Sequence, residues 1–287
     1  MSTLSLDHVI LVVSDLQVAT RQFTQLGFSV ISGGVHSSGL TQNALVPFPD
    51  GTYLELLATV RGSMLKYLRL LRKLGLLGVY TANESAINQR LIGDLASGVG
   101  MNDYSLLSTE LAHELPLMKE RGAIFTTPIP GGRIRPDGKE IQWRTAVPNC
   151  IDLPFLIEDL TPRKVRVPEV EEDYHSNGIT SIKGLIVLVT NLVESMAHYR
   201  AMLNMEPVTQ PRFPQPGIQS SEFNFDNRYF TIIGVRPGNS ELLGLLKPRK
   251  ARPAGIIFQS SADDDFLSLT YLPDRGATLS KSQIFFS

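Results

Sequence analysis

The alternation of apolar and polar positions near the N-terminus returns in the second half of the chain. Residues 5–16 (SLDHVILVVSDL) align with residues 181–192 (SIKGLIVLVTNL), and nearly every apolar position stays apolar. The β-branched residues and the short length of both segments predict a buried strand. A repeat of this kind indicates an architecture that local propensity alone would not reveal.

The residues after each strand predict a helix, further strands and a tight hairpin. Both helices, over 16–26 and 193–203, begin after residues that can cap them: Ser14 or Asp15, and Thr190 or Asn191. Asp50-Gly51 and Asp226-Asn227 align in the two copies and suit the left-handed dihedrals of hairpin turns. Each copy therefore predicts a strand, a helix and three strands.

A weaker copy of the same unit lies between these two, and the start of a fourth follows them. The middle copy is predicted as a strand over 77–82, a helix over 84–95, a strand over 123–126, a hairpin over 132–147 and a closing strand over 153–158. The fourth is predicted to begin with a strand over 255–259 and to continue into a helix from about residue 262.

These elements predict an α+β fold of repeated βαβββ modules, in which curved mixed sheets carry their helices outside. The segment 161–178 is rich in proline and charge, as linkers are. We therefore expect one domain of two modules over residues 1–162 and a second, divergent and shortened domain over residues 175–287.

Charge and composition give no support to a nucleic-acid or membrane partner, so a partner has to be inferred from candidate sites. The 27 basic and 28 acidic residues give a net charge of −1, so no overall field favours nucleic acid or an anionic membrane. The single cysteine, Cys150, excludes an intramolecular disulfide and is compatible with a cytoplasmic location. No apolar run approaches the roughly 20 residues that cross a bilayer.

The segment 62–76 (GSMLKYLRLLRKLGL) permits two interpretations. Its leucines lie near one face and its lysines and arginines toward the other. A helix of this composition can lie on a membrane surface. We favour a connecting helix with a solvated basic face between two modules.

Several motifs resemble the glyoxalase-like branch of the vicinal oxygen chelate superfamily. LDHVILVVSDL with NALVPFPDGTYLELLA is similar to the first βαβββ module of that group, and GGRIRPDGKEIQWRTA with LPFLIED is similar to the second. The resemblance covers residues 5–160. It implies that two modules enclose a ligand cavity, with metal ligands on the first and last strands of each module.

His8 and Glu55 are the predicted metal ligands. Strand alternation places each of them among inward-facing apolar residues, and a buried carboxylate is costly without a partner. If the strands are neighbours, as the resemblance implies, the imidazole and the carboxylate suit a divalent ion, and Glu55 is also the candidate for moving a proton. His36 or Gln42 could complete the site, unless each is simply a loop residue. The matching positions elsewhere offer no second pair: Leu77 and Phe155 in the middle copy, Gly184 and Thr231 in the later one.

The hairpin over 132–145 offers a second candidate site. Arg133 and Arg135 share one predicted face, and Trp143 lies beside Arg144 on the returning strand. Guanidinium groups pair with carboxylates or phosphates, while tryptophan covers apolar surface. We expect these four residues to bind an anionic substrate, unless the hairpin is simply solvated and its tryptophan seals the core.

Three functions remain open from the sequence. The first is a divalent-metal-dependent enzyme, a lyase, isomerase or dioxygenase, that acts on a small oxygen-rich molecule. The second is a metal-free protein that binds or sequesters a small molecule in the same cavity. In the third, which is compatible with either, the half over 178–287 serves packing or the formation of a homodimer.

Overall fold

The computed structural model describes residues 4–208, 219–236, 238, 240–246, 249, 251–260, 267–272 and 276–280. Its first half contains eight strands, which run over Ser5–Val12 (β1), Ile31–His36 (β2), Thr41–Pro47 (β3), Tyr53–Thr59 (β4), Gly100–Leu107 (β5), Ile129–Ile134 (β6), Glu140–Ala146 (β7) and Phe155–Asp159 (β8). These strands form a closed barrel in the order β1-β4-β3-β2-β6-β7-β8-β5. The α+β fold of βαβββ modules is thereby confirmed.

Six helices accompany the barrel: Leu16–Gln25 (α1), Gly62–Lys73 (α2), Leu77–Thr81 (α3), Ala86–Ser97 (α4), Leu111–Glu120 (α5) and Arg163–Arg166 (α6). The predicted cap of α1 is confirmed, because the Asp15 side chain accepts a hydrogen bond from the backbone N–H of Val18. Helices α1 and α5 each follow the first strand of a module and contribute Phe23 and Met118 to the main core. No described helix has the length and apolar character needed to span a bilayer.

The predicted start of the second module is wrong. Residues 77–81 form helix α3, and the module begins instead with β5 at Gly100. A short apolar run does not distinguish a strand from a buried helical segment by periodicity alone. Helix α4 was predicted almost correctly, but it belongs to an insertion of three helices, α2 to α4, between the modules.

The second half contains a six-stranded sheet of β9 (Ile179–Val189), β10 (Gln219–Phe225), β11 (Arg228–Gly234), β12 (Ala251–Ser260), β13 (Leu267–Leu272) and β14 (Gly276–Ser280), with helices α7 (Leu192–Leu203) and α8 (Ser240–Leu246). Strand β9 pairs in parallel with β11 and antiparallel with β12, as β1 pairs with β4 and β5. The predicted turn is confirmed, since Asp226 and Asn227 have φ values of 51° and 55°. The predicted helix from about residue 262 is wrong from Leu267, where β13 begins; residues 261–266 lie outside the described residues.

The two halves share a core and several polar contacts. One apolar cluster includes Leu11 of the barrel and Leu185 of the sheet. The hydroxyls of Tyr104 and Tyr199 are hydrogen-bonded across the junction. The boundary between domains 1–162 and 175–287 stays a prediction, although the segment predicted as a linker also forms α6.

Candidate functional site

A cavity of about 320 Å³ lies inside the barrel, beneath helix α4. Its polar lining includes His8, His36, Glu55, Arg133 and Arg166, and its apolar lining includes Ile10, Leu57, Trp143 and Phe155. The predicted residues His8, Glu55, Arg133 and Trp143 therefore face the same space.

His8 is held in a defined orientation by its neighbours. Its imidazole stacks on the ring of Tyr53 from β4, with ring centroids 4.7 Å apart. Its Nδ1 lies 2.6 Å from a carboxylate oxygen of Asp7. Because the ionised Asp7 can only accept, Nδ1–H donates and Nε2 is left toward the cavity.

Asp7 is ionised at the centre of a buried charge cluster. It accepts hydrogen bonds from Arg166, at 2.9 Å, and from Arg163, at 2.6 Å. Burial alone would raise the pKa of Asp7, but the charge of Arg166, the hydrogen bond with His8 and the charge of Arg163 hold it well below its usual value. Helix α6 carries both arginines. Through Asp7, it therefore fixes the orientation of the His8 imidazole.

Glu55 is the centre of the polar wall of the cavity. One carboxylate oxygen lies 3.4 Å from His8 Nε2, and the other lies 3.5 Å from His36 Nε2 and accepts a hydrogen bond of 2.5 Å from Asn43. Burial opposes ionisation, but the hydrogen bond with His8 and the charge of His36 together with the other contacts lower the pKa of Glu55 to about 2.

The two imidazoles that face Glu55 differ in protonation. Burial disfavours the charged form of His8, but the hydrogen bonds with Asp7 and Glu55 outweigh it and raise the pKa of His8. Burial lowers the pKa of His36; Glu55 opposes this effect, and the positive charge of Arg133 adds to it. One imidazole therefore favours the cation and the other the neutral base.

Arg133 offers a buried positive charge to the cavity. Its terminal nitrogens donate to Asn43 Oδ1, at 3.2 Å, and to the backbone carbonyl of Arg166, at 2.7 Å, while its Nε has no hydrogen-bond partner. Trp143 lies beside it, in space that Gly131 leaves open: a Cβ at Gly131 would be 2.5 Å from the indole nitrogen. This part of the lining combines a cation with an aromatic surface.

The other two predicted arginines do not line the cavity. Arg135 follows the end of β6, donates to the carbonyl of Val165 and pairs with Asp137. Arg144 is 38% exposed and pairs with Glu158 at 2.6 Å. Alternation along β7 separates Arg144 from Trp143, since adjacent strand residues face opposite sides.

The second module places an ion pair and a ring where the first has His8 and Glu55. Asp103 precedes the N-terminal cap of α5 by the same number of positions as His8 precedes that of α1, which corrects the match with Leu77. Its carboxylate accepts two hydrogen bonds from Arg90, at 2.6 and 2.7 Å. Phe155 occupies the position of Glu55, as predicted, and offers no metal ligand.

Sequence reasoning missed Asp7, Asn43 and Arg166. Asn43 could have been found from alternation, because it shares a face of β3 with Leu45, whose partner on β4 is Glu55. Gln42 is on the opposite face, beneath α1, and does not reach the cavity. No signal in the sequence indicates that Arg166, in a charged and proline-rich segment, is buried.

A compact group of potential metal ligands lies outside the cavity. Donor atoms of Cys150, Asp152 and His198 are within 4.8 Å of one another, at the junction of the barrel with α7. His198 Nδ1 lies 2.8 Å from a carboxylate oxygen of Asp152. Burial and the nearby Asp152 raise the pKa of the Cys150 thiol to about 12, so the thiol stays protonated in this network.

Comparisons with known proteins concern most of the chain. The family model described as a glyoxalase-like domain matches residues 6–193. A hypothetical protein from Staphylococcus aureus has a similar structure, with a TM-score of 0.69 and 16% identity over 96% of this chain and 98% of that one. A mutant of 4-hydroxymandelate synthase from Streptomyces coelicolor shares the fold, with a TM-score of 0.53 and 12% identity over 90% of this chain and 71% of that one. No curated protein matches the sequence.

Proposed function

The chain belongs to the glyoxalase-like domain family, and we propose that it is a divalent-metal-dependent enzyme acting on a small oxygen-rich molecule in the barrel cavity. The observation that carries the proposal is the sequence of contacts from Asp7 to His8 to Glu55. A carboxylate that accepts Nδ1–H and leaves Nε2 toward the site is the usual support of a metal-binding histidine.

The donor set fits a divalent ion in part. His8 and Glu55 are the proposed ligands, and His36 supplies a third donor on the same wall. Two imidazoles and one carboxylate are a known ligand set with positions left open for substrate. Each imidazole faces a different oxygen of Glu55, so the three donors surround the carboxylate and do not yet converge on one point. An ion bound there would act as a Lewis acid toward substrate oxygens.

The remaining cavity residues bind and orient the substrate. Arg133 would pair with an anionic group, because a guanidinium in a buried site gains from a charged partner. Trp143 and Phe155 would cover the apolar part of the same molecule. Arg135 and Arg144 lie too far outward for this role in the described conformation.

Glu55 is also the proposed proton carrier. With a pKa of about 2 it is a poor base while His8 and Asn43 are bound to it. Its role in proton transfer therefore requires that substrate separates the carboxylate from one of these partners, which would raise the pKa.

One observation favours the second candidate function, metal-free binding of a small anion. The raised pKa of His8 favours the imidazolium, whose two N–H groups face Asp7 and Glu55. Since Arg166 already neutralises Asp7, the imidazolium balances Glu55 without a metal ion. Asp103 is likewise neutralised by Arg90. A site balanced in this way can bind a ligand through Arg133 alone.

Metal analysis separates the two candidates. We expect the untagged protein to carry close to one equivalent of a divalent metal by elemental analysis, and expect the His8→Ala and Glu55→Gln variants to lose it. Cys150→Ser removes one of the three donors of the separate group at α7 and should leave the metal in place, as should the surface variant His113→Ala. A parent protein that takes up no metal on reconstitution, but is stabilised against heat by small carboxylates in an Arg133-dependent way, would be a binding protein.

A further inference from the structure

Helices α2 and α3 form a hairpin that exposes large apolar side chains. The inner face of α2 packs against α4 through Leu65 and Leu68. Tyr67, Leu70 and Leu74 recur at helical spacing on a second, outward side. Leu74 is 59% exposed. A helix that only connected two modules would have one apolar face and not two.

Helix α3 extends this outward apolar side. Val79 is 77% exposed, and the ring of Tyr80 packs edge-on against Tyr67 with centroids 5.8 Å apart. The two helices thus present one continuous surface. We call it the hairpin surface, and it comprises Tyr67, Leu70, Leu74, Leu76, Val79 and Tyr80.

Exposed basic side chains flank the hairpin surface. Lys66, Arg69 and Lys73 recur at helical spacing on the side of α2 next to the apolar one, and all three are exposed. Residues 61–83 contain five lysines and arginines and no aspartate or glutamate. The local charge is therefore strongly positive, although the whole chain has a net charge of −1.

We propose that the hairpin surface binds the face of an anionic phospholipid membrane, along which the two helices lie without crossing it. The apolar side chains enter the boundary between headgroups and acyl chains, and the adjacent lysines meet the anionic headgroups. A second copy of this chain is a poorer occupant, because two-fold pairing brings the same basic side chains together. The sequence favoured a connecting helix with a solvated basic face here, and the net charge of the whole chain averages over this segment.

The proposal does not depend on the metal or substrate proposed for the cavity. Its connection with the cavity is positional: the inner face of α2 packs on α4, and Arg90 and Leu91 of α4 line the cavity. A molecule that reaches the barrel past α4 would pass close to the bound membrane.

Vesicle co-sedimentation of the full chain tests the proposal. We expect the protein to bind vesicles that contain phosphatidylglycerol, to bind pure phosphatidylcholine weakly, and to dissociate from the anionic vesicles at high salt. Replacing Lys66 and Lys73 by alanine should weaken binding about 25-fold, at about fivefold for each lysine near the surface. The matched control replaces Lys119 and Lys164, which are exposed elsewhere, and should bind as the parent does.

The apolar part of the surface is tested by the double variant Leu74→Glu and Val79→Glu, which should abolish binding. Val193 on α7 is 82% exposed, so Val193→Glu controls for an added surface carboxylate and should bind normally. Circular dichroism of each variant checks that the fold is kept. The proposal is overturned if the parent ignores anionic vesicles at low salt, or if the double variant binds like the parent. It is also overturned if analytical ultracentrifugation shows a stable parent dimer that this double variant dissociates.

Discussion

The first module and its later copy share the same strand pairing, but the first encloses a cavity and the later copy fills the corresponding space with side chains. His8 pairs with Tyr53 across the parallel strands β1 and β4, and Gly184 pairs with Tyr229 across β9 and β11 in the same register. In the first module the inward face is a polar cavity. In the later copy the same face is mostly an apolar core, in which Thr231 donates a hydrogen bond to Glu222.

A single position explains much of this difference. A Cβ at Gly184 would lie 2.2 Å from the ring of Tyr229, so the tyrosine occupies the space that His8 takes in the first module. Leu242 and Leu246 of α8 belong to the same buried apolar cluster as the ring. Strand pairing therefore fixes where a cavity can form, and the side chains at the paired positions decide whether it does.

The largest expected effect is on the free energy of unfolding, and it tests the charge cluster around Asp7 in the first module. Asp7 aligns with Lys183, which is half-buried and outside any described ion pair. Asp7→Ala should destabilise the protein by about 3–5 kcal/mol, because the buried Arg166 loses one of its two carboxylate partners and keeps only Asp159, while His8 loses its hydrogen-bond acceptor. Lys183→Ala should change the free energy of unfolding by less than about 0.5 kcal/mol. Urea denaturation measures both, and equal effects would contradict the assignment of Asp7 to a cluster peculiar to this module.

A smaller effect is expected where the later copy has filled its cavity. Gly184→Ala should cost about 1–3 kcal/mol, since the added methyl group forces the Tyr229 ring to move. Gly244 in α8 is the control: a Cβ there meets open space, so Gly244→Ala should stabilise by about 0.5–1 kcal/mol through helix propensity. In thermal unfolding, Gly184→Ala should lower the melting temperature and Gly244→Ala should raise it. If Gly184→Ala is neutral, Tyr229 does not hold that space.

The smallest effect concerns pH and distinguishes the two histidines that face Glu55. The pKa of His8 is raised in the folded state, so its contribution to stability is complete below its unfolded value of 6.5 and is lost as the pH rises through the folded value. His36 has a lowered pKa, so its contribution is present above 6.5 and is lost as the pH falls through its folded value. The later copy has glycine at the position of His8 and adds no such dependence.

Denaturation of the parent and of His8→Gln on either side of pH 6.5 checks these signs. The difference in the free energy of unfolding between the parent and His8→Gln should shrink as the pH rises. Imidazole resonances in NMR titrations should show His8 titrating above 6.5 and His36 below it. The reverse order would mean that Asp7 and Glu55 do not stabilise the protonated imidazole of His8.

The sequence predicted the first module well because its signals are local. The cap at Asp15 and the turn after Asp50 mark their elements directly, and alternation along β1 and β4 gives the inward faces of His8 and Glu55. That the two strands are neighbours was implied by the family resemblance. The start of the second module was missed because β5 carries the polar residues Asn102 and Asp103 within the strand. Its residue pattern therefore does not predict a buried strand. The groups that form hydrogen bonds with these two side chains, among them Arg90, lie on another element. The residue pattern along β5 therefore does not indicate them.

The contact between Asp94 and Arg249 connects the later copy with the wall of the cavity. Asp94 lines the cavity on α4, and Arg249, far along the chain, donates a hydrogen bond to its carboxylate and another to the backbone carbonyl of Asn102. A protein shortened to the barrel would keep the cavity, but the Asp94 carboxylate in its wall would have lost this cation. The later copy has no counterpart of the His8 and Glu55 pair, but it supplies the cation that neutralises a carboxylate in the wall of the cavity.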